Sequence, residues 1–437
     1  MTDWKQEYAR KSMSAAGAAA LISNGGLVLQ GNAVGEPPGM LAAIAERARA
    51  GELRDLRMAS LLPLAASAAT ILAPDLRDII RWQSLFASGV DRELVRSGQA
   101  DFIPAQFHQI PRIIRDHFDV DAALVCVSPP DAHGYMSLGV NVDTNLAAVE
   151  KARLVIAEVN PQMPRVHGTG WVHVSQVDAV VEHEAALYEL PKPAPRPEDE
   201  AMGPRIAEMI PNGATLQLGI GGLPNAVAKS LMDHRGLGIH TEMFVDAMVD
   251  LIDAGVVTGV NKTLHPGKAI YSFAAGSRRM YEFLDDNPYV EAHPVDYVNH
   301  PPNIARNVDM ISVNSTIEVD LTGQCCSESM GHGQFSGTGG QLDYVRGAYD
   351  APGGKSIIAF YSTAKGGTVS RVVPTLTPGA VVTTPRTDVH WLVSEHGAVN
   401  MKGRSTRARA EELIGLAHPK FRDELRRAAA ELGHLPR

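Results

Sequence analysis

The stretch ATLQLGIGGLPNAVAKSLMDH, residues 214–234, decides the fold class of this chain. ATLQLGI is apolar enough to form a buried strand, glycines follow it, and NAVAKSLMDH has the pattern of a helix. A strand that passes through a glycine turn into a helix is typical of a parallel α/β sheet, whose faces are covered by helices. Glycines at such a turn also let backbone N–H groups and a helix N-terminus approach an anion.

Similar patterns occur in both halves of the chain. AALVCVSP and RLVIAEVN predict strands and GMLAAIAERARA predicts a helix in the first half, whereas KSIIAF and AVVTT predict strands in the second. Near the C-terminus, an amphipathic helical pattern is interrupted at Pro419. We therefore predict an α/β fold with a mainly parallel sheet in each half.

A proline-rich segment, PKPAPRPEDE at residues 191–200, marks the clearest boundary in the 437-residue chain. Its closely spaced prolines disfavour a helix or a central strand, so the segment is expected to be an extended linker. It separates an N-terminal α/β domain, residues 1–190, from a C-terminal α/β domain, residues 201–437. Both are long enough to bury a core of their own.

Composition excludes several functional classes. A net charge of −9 and an aromatic content of 5% argue against a nucleic-acid-binding protein, although a small anion could still bind at a locally positive site. Cys126, Cys325 and Cys326 are too few for a disulfide framework, and with no C-x-x-C pair they predict no structural zinc. No apolar run is long enough to span a membrane. The N-terminus is not typical of a signal peptide, because Asp3 and Glu7 interrupt its basic region and the apolar stretch that follows is mostly Ala and Gly. We expect a cytoplasmic protein.

The glycine turn itself allows three interpretations. It could be a ligand-binding loop, a tight structural turn, or a dinucleotide-binding loop. Glu242 follows Gly222 by twenty residues, where an acid that binds a ribose would be expected. The third glycine of the dinucleotide motif is absent, which makes the NAD interpretation the weakest of the three.

Glu242 stands in the apolar segment GIHTEMFVDAMVDL, residues 238–251. A carboxylate in apolar surroundings is costly unless it is paired or used, so a raised pKa or a nucleophilic role is conceivable. A solvated surface position is the simpler alternative for a single glutamate. His240 and Glu242 form an H-x-E pair, but the P-C-x-x-C motif of zinc deaminases is missing.

A second glycine-rich segment is SESMGHGQFSGTGGQLDYVRGA, residues 327–348. Its glycines could present backbone donors to an oxyanion or a phosphate. YSTAKGGTVSR could contact a phosphate through Lys365 or Arg371, or could be a solvated loop. GGKS at residues 353–356 is not a P-loop, because Tyr349 occupies the position of its first glycine. For the remaining polar candidates we expect ordinary turn or core roles: His133, Asn160, Arg165 and His173.

Taken together, these blocks resemble the acetyl-CoA hydrolase/transferase family, which includes the 4-hydroxybutyrate, butyrate and acetate CoA-transferases. The resemblance extends over nearly the whole chain, and the matching blocks occur in the same order. They are SPPDAHGYMSLGVNVD, EVNPQMPR, HVSQVD, GIGGLPNAV, GIHTEMF, HPVDYVNHP, NSTIEVDLTGQ, SGTGGQLDYVRGA, STAKGGTVSRVVP and VTTPRTDVHWLVSEHGA.

The resemblance implies two related CoA-transferase-type α/β domains with the active site at their junction. Glu242 of HTEMF is similar to the nucleophilic glutamate of the family, which forms a glutamyl-CoA thioester. The segment GIGGL matches a loop that contacts CoA, formed by Gly219, Ile220, Gly221, Gly222 and Leu223. Further implied contacts with CoA or an oxyanion are Asn314, Gly337, Gly339, Gly340 and Lys365.

The resemblance further implies ping-pong transfer of CoA from an acyl-CoA to a small carboxylate, with acyl-CoA hydrolysis by the same glutamate as the alternative. CoA is then a substrate; no tightly bound cofactor, metal or nicotinamide is required, and a homodimer or larger homo-oligomer is expected. Val245 and Ala247 depart from the family pattern HTEMFSDG, and Met136 stands where a smaller residue is common. These departures leave the acceptor open among acetate, butyrate, 4-hydroxybutyrate and dicarboxylates such as itaconate, with the chain length closer to the 4-hydroxybutyrate and itaconate enzymes.

Overall fold

The computed structural model describes residues 3–191, 194–219 and 221–436. In these residues the chain has a mixed α/β fold with two large, mainly parallel sheets, which confirms the predicted fold class. None of the described helices is both long and apolar enough to cross a bilayer.

The chain forms two compact units, and each is discontinuous in sequence. Unit 1 consists of Met1–Pro191, Phe244–Asp246 and Ile270–Val298. Unit 2 consists of Lys192–Met243, Ala247–Ala269 and Asn299–Arg437. The proline-rich segment thus lies where the first long run ends, and two later segments also pack with that run.

Sixteen helices occur in the described residues. In chain order they are α1 (Trp4–Lys11), α2 (Ala15–Ala20), α3 (Pro38–Arg49), α4 (Ala65–Ala69), α5 (Arg92–Arg96), α6 (Ile110–His117), α7 (Asn145–Lys151), α8 (Pro197–Ala207), α9 (Gly222–Ser230), α10 (Asp246–Asp253), α11 (Arg278–Leu284), α12 (Val295–Val298), α13 (Pro301–Ile304), α14 (Gln341–Asp350), α15 (Thr406–Leu416) and α16 (Arg422–Glu431).

The strands of the two large sheets are also numbered in chain order. They are β1 (Leu27–Gln30), β2 (Leu56–Leu61), β3 (Ile80–Phe86), β4 (Asp101–Phe102), β5 (Val120–Val127), β6 (Leu154–Val159), β7 (Ala179–Glu182), β8 (Thr215–Leu218), β9 (Gly238–Ile239), β10 (Met310–Ser315), β11 (Lys355–Ala359), β12 (Trp391–Ser394) and β13 (Gly397–Asn400). Shorter strands outside these sheets include Met243–Phe244, Thr363–Ala364 and Val369–Ser370.

Unit 1 is built on a seven-stranded parallel sheet with the order β7-β6-β5-β1-β2-β3-β4. All four residues of β1 are buried, as are seven of the eight in β5, because helices cover both faces of a parallel sheet. Helix α3 begins at Pro38, whose missing N–H costs nothing in a first turn. Its apolar residues, among them Met40 and Ile44, belong to the core formed with Met58, Trp82 and Leu124.

Unit 2 contains a six-stranded sheet with the order β9-β8-β10-β11-β12-β13. Its neighbouring strands are parallel except for β12 and β13, which form an antiparallel pair. Strands β8 and β10 therefore end at the same edge of the sheet, where the glycine turn at 219–222 begins. Ile358 of β11 and Leu392 of β12 belong to a core that also includes Val345 of α14 and Leu413 of α15.

Three local predictions differ from the structure. AVVTT is not a strand: Val381 and Val382 are exposed, and only Thr384 forms an isolated bridge with Cys325. The helix that follows the glycine turn ends at Ser230, four residues before the predicted end. In the proline-rich segment, Lys192 and Pro193 lie outside the described residues, whereas residues 197–200 begin α8, because Pro197 occupies its first position.

Glu158, at the end of β6, makes the stability of unit 1 depend on pH. The side chain is completely buried, and burial raises its pKa to about 7, although the backbone N–H groups of Gly39 and Met40 donate to it. The unfolded chain therefore ionises this carboxyl at lower pH than the folded chain does. The stability that the protonated Glu158 contributes is fully present below the pKa that this carboxyl has in the unfolded chain. It is lost as the pH rises through the higher pKa of the folded chain.

We predict that the wild-type protein loses stability relative to Glu158→Gln between about pH 5 and about pH 8, by on the order of 3 kcal/mol. Urea denaturation followed by tryptophan fluorescence measures this, since three of the four tryptophans, Trp4, Trp82 and Trp171, lie in unit 1. Equal pH dependence in the two proteins would contradict the prediction.

Candidate active site

Glu242 stands at the apex of a bend that follows the edge strand β9. The backbone before the bend is held by the buried Lys262, whose Nζ donates to the carbonyl oxygen of Ile239 at 2.8 Å. The bend is closed by Thr241, whose hydroxyl donates to the carbonyl oxygen of Met243 at 3.1 Å. Glu242 is only partly buried, whereas its two neighbours, Thr241 and Met243, are buried. The bend therefore leaves Glu242 more accessible than the residues on either side of it.

Asn299 holds this carboxylate. Its side-chain amide donates to Oε2 of Glu242 at 2.6 Å, a short hydrogen bond to an ionisable acceptor. Asn299 is completely buried, and its own Oδ1 has no partner among the described residues. The asparagine amide therefore fixes the orientation of Glu242 from within unit 2.

Gly340 packs directly against the same carboxylate. A Cβ atom at this position would overlap with Oε2 of Glu242 and with the amide nitrogen of Asn299. Gly340 is the residue that precedes α14, so Glu242 lies at the N-terminal end of a ten-residue helix. Unsatisfied N–H groups and the helix dipole favour negative charge at such an end.

One helical turn further along α14 lies Tyr344. Its side chain is completely buried, and its hydroxyl has no partner among the described residues. Burial, and then the nearby carboxylates of Glu242 and Asp343, hold the pKa of Tyr344 well above its usual range. Tyr344 is thus a neutral residue behind the site.

The predicted residues of the first glycine loop lie at the start of α9. Gly219 follows β8, and Gly221 has a φ of +121°, a conformation that favours glycine. A Cβ on Gly222 would overlap with the carboxylate of Asp199, and the Leu223 side chain is buried. Ile220 lies outside the described residues.

Asn314 and Lys365 occupy different surroundings. Asn314 of β10 exchanges two hydrogen bonds with Gln217 of β8, at 3.3 and 3.4 Å, beside the glycine turn. Lys365 is exposed at the tip of a hairpin, where it has a φ of +49°. Of the second glycine segment, Gly337 is buried and Gly339 has a φ of +54°.

Two arginines flank the ring of Tyr361, an arrangement that the sequence did not predict. The guanidinium groups of Arg196 and Arg371 lie over its ring, 5.1 and 6.0 Å from the centroid. The Tyr361 hydroxyl donates to Asp199 at 2.8 Å, and Asp199 in turn touches Gly222. In the described part of the chain neither guanidinium forms an ion pair, although Arg371 donates to the carbonyl oxygens of Ile317 and Thr363. Two cations and the Asp199 carboxylate therefore lie near the first glycine loop.

Glu242 and Gly340 are thus the predicted residues that the structure brings into contact. Asn299 was missed because a single buried asparagine has no local signature, although it lies in the quoted block HPVDYVNHP. Arg196 and Tyr361 were missed because the sequence separates them widely. Val245 and Ala247, the departures next to Glu242, are both buried.

Comparisons with known proteins cover nearly the whole chain. The family model described as the acetyl-CoA hydrolase/transferase N-terminal domain matches residues 1–189, and the corresponding C-terminal domain matches residues 276–429. A succinyl-CoA:cyclohexane-1-carboxylate CoA transferase from Geobacter metallireducens is 45% identical over 99% of this chain and 98% of its own length. The 4-hydroxybutyrate coenzyme A transferase of Clostridium kluyveri is 43% identical over 97% and 98%.

Solved structures agree with these matches. The crystal structure of RipA from Yersinia pestis has a TM-score of 0.96 and 43% identity, and covers 99% of this chain and 100% of its own. Among the relatives matched by sequence, an acetyl-CoA hydrolase from Kluyveromyces lactis is more distant, at 28% identity over 51% of this chain and 41% of its own length.

We predict that Gly340→Ala displaces the Glu242 carboxylate from Asn299, because the added methyl group cannot fit between them. Gly415→Ala is the matched control: Gly415 lies in α15 with open space where its Cβ would be. Crystal structures of both variants test the prediction. A Glu242–Asn299 hydrogen bond that persists in Gly340→Ala would contradict it.

Proposed function

Because this chain belongs to the acetyl-CoA hydrolase/transferase family, we propose that it moves CoA from an acyl-CoA to a small carboxylate with Glu242 as the nucleophile. That the chain is an enzyme that transfers CoA rests on its full-length relatives, which are named for such transfers. The observation that carries the choice of Glu242 is its placement at the start of α14, held by Asn299.

The first half-reaction forms two bonds and breaks two. A Glu242 oxygen attacks the thioester carbonyl, the C–S bond breaks, and CoA leaves as the thiolate, which gives a mixed anhydride. The thiolate then attacks the glutamyl carbonyl, and the C–O bond breaks to release the donor acid as a carboxylate. The enzyme is left as a glutamyl-CoA thioester, with no net change in protons or oxidation state.

The second half-reaction reverses these steps with the acceptor. Its carboxylate attacks the glutamyl thioester and expels CoA thiolate, which then attacks the acceptor carbonyl of the new anhydride. Glu242 leaves as a free carboxylate. Since one carboxylate is exchanged for another, the free energy changes little, and the enzyme has only to stabilise the intermediates.

Each addition to a carbonyl develops negative charge on an oxygen. The N-terminal end of α14 offers backbone N–H groups at the position where Glu242 reacts, and we assign the oxyanion contacts to this end through Gly340. The Asn299 amide orients one carboxylate oxygen of Glu242. Such fixed, neutral donors lower the barrier without the reorganisation that water would need.

We assign CoA itself to the edge of the six-stranded sheet. We assign to CoA the segment Gly219, Ile220, Gly221, Gly222 and Leu223, of which Gly219 follows β8 and Gly222 and Leu223 begin α9. Asn314 lies on the neighbouring strand β10. Arg196 and Arg371 form no ion pair in the described part of the chain, so they can donate to the phosphates of CoA together with Lys365. Gly337 and Gly339 lead into Gly340, and we assign them with it to the oxyanion contacts.

Hydrolysis is the alternative outcome of the same intermediate, with water in place of the acceptor. Transfer is favoured, because the relatives that match over almost the full length are transferases and the hydrolases match over about half of the chain. The acceptor is a small carboxylate, with 4-hydroxybutyrate and itaconate as the first to test. We further propose a cytoplasmic homodimer or larger assembly, which light scattering would check.

We predict that acetyl-CoA, butyryl-CoA or succinyl-CoA, added without an acceptor, places CoA on Glu242. Borohydride or hydroxylamine treatment followed by peptide mass spectrometry locates the product. Glu242→Gln, which lacks a nucleophilic carboxylate, should lose transfer by at least roughly a thousandfold. Glu411→Gln, on an exposed position of α15, should behave like the wild type.

Rapid release of CoA with an acceptor-independent rate would instead identify a hydrolase. Full activity in Glu242→Gln would refute the assignment of the nucleophile.

We predict that Arg196→Gln raises KM for acyl-CoA by roughly threefold to tenfold and leaves kcat nearly unchanged, because phosphate contacts bind substrate and transition state alike. The matching acyl-pantetheine, which lacks the phosphates, should show no such difference. Arg407→Gln, an exposed change on α15, is the control. An equal effect on both substrates would contradict the assignment.

A further inference from the structure

Glu328 is a buried carboxylate that the reaction scheme does not use. Its side chain is 3% exposed, and it lies between the short strands Cys325–Cys326 and Ser329–Met330. In the described residues it forms no ion pair. A buried charge is costly unless hydrogen bonds compensate it, so the groups around Glu328 need an explanation.

Three side chains donate to this carboxylate. The Thr383 hydroxyl donates to Oε1 at 2.9 Å, and the Thr338 hydroxyl lies 3.1 Å from Oε2 and 3.3 Å from Oε1. The Gln334 amide donates to Oε2 at 3.5 Å. All three partners act as donors, which a carboxylate accepts and a glutamine amide could only partly accept.

The backbone of Glu328 also binds the segment that carries Gln334 and Thr338. Its carbonyl oxygen accepts the N–H groups of Phe335 and Ser336, at 2.7 and 3.1 Å. Backbone and side chain together thus attach residues 334–338 to one anchor. Residues 339 and 340 follow immediately, and Gly340 is the residue against which Glu242 packs.

Thr383 fixes the anchor from its other side. Its hydroxyl also accepts the N–H of Ser327 at 3.0 Å, while its N–H donates to the carbonyl oxygen of Cys325. Thr383 is 3% exposed. Thr383 therefore connects the Glu328 carboxylate to the backbone that precedes Glu328, and the glycine segment is bound to the same carboxylate through Thr338 and Gln334.

We propose that Glu328 is a positioning residue that keeps the segment 334–340 in place, so that the start of α14 stays against Glu242. The proposal rests on the proposed function, because it assigns Glu328 an effect on the attack by Glu242. Loss of the anchor lets Gly340 shift relative to the carboxylate, and small misplacements of reacting groups are costly. The residues to which CoA is assigned, in the segment 219–223 and at Asn314, Arg196, Arg371 and Lys365, form none of the hydrogen bonds that hold this anchor.

The test compares Glu328→Gln and Thr338→Val with Thr338→Ser in the full-length protein. Glu328→Gln and Thr338→Val should each lower kcat by roughly tenfold to a hundredfold with KM for acetyl-CoA nearly unchanged. Thr338→Ser keeps the hydroxyl and should restore kcat. The double variant Glu328→Gln/Thr338→Val should be no slower than the slower single variant, because both changes break one interaction.

Glu318→Gln is the matched control. Glu318 also accepts hydrogen bonds from a threonine: the N–H and the hydroxyl of Thr377 donate to its carboxylate at 2.9 and 2.8 Å. Thr377, however, lies outside the glycine segment. The control should leave kcat and KM unchanged. A rise in KM at constant kcat, additive effects in the double variant, or equal loss in Thr338→Ser and Thr338→Val would overturn the proposal.

Hydrogen exchange separates this proposal from the proposed function. Amide exchange at residues 336–340 should be faster in Glu328→Gln and Thr338→Val than in Glu318→Gln, whatever reaction the enzyme performs. Unchanged exchange would overturn the positioning role. Failure of the wild type to form a thioester on Glu242 would overturn the proposed function instead.

Discussion

The close packing of the Glu242 carboxylate on Gly340 is the contact on which the rest of the site depends. It requires a residue without a side chain at the start of α14, because any Cβ there would overlap with Glu242 and Asn299. The bend at residues 241–243 and the buried Asn299 then bring the carboxylate to that point. A helix end, an amide and a carboxylate are thereby brought together within unit 2.

The groups around the site include one neutral donor and two cations. The hydrogen bond described at Glu242 comes from the neutral amide of Asn299, which orients the carboxylate. The guanidinium groups of Arg196 and Arg371 lie around Tyr361, beside the first glycine loop. Buried carboxylates such as Glu328 and Glu158 serve as anchors for backbone and side-chain donors.

Local patterns predicted much of the framework and little of the site. Strands β5 and β11 were predicted because parallel strands covered on both faces are apolar throughout. The prediction of a strand at AVVTT was wrong, because β-branched residues can also lie exposed beside a turn. Composition alone does not distinguish such a segment from a buried strand. The residues around Glu242 left a nucleophilic role and a solvated surface position as alternatives. Only the resemblance to the family, through the order of its sequence blocks, singled Glu242 out as the nucleophile. Asn299, Glu328 and the Arg196–Tyr361 contact could not be predicted, since each depends on pairing distant segments of the chain.

The most direct test of Glu242 as the nucleophile follows the oxygen atoms. With an acceptor acid labelled with oxygen-18 in its carboxylate, each turnover leaves one acceptor oxygen on the enzyme glutamate, because the anhydride breaks on the acceptor side. After many turnovers, peptide mass spectrometry should find oxygen-18 in the side chain of Glu242 and in no other carboxylate. Formation of the new thioester while Glu242 stays unlabelled would contradict the account.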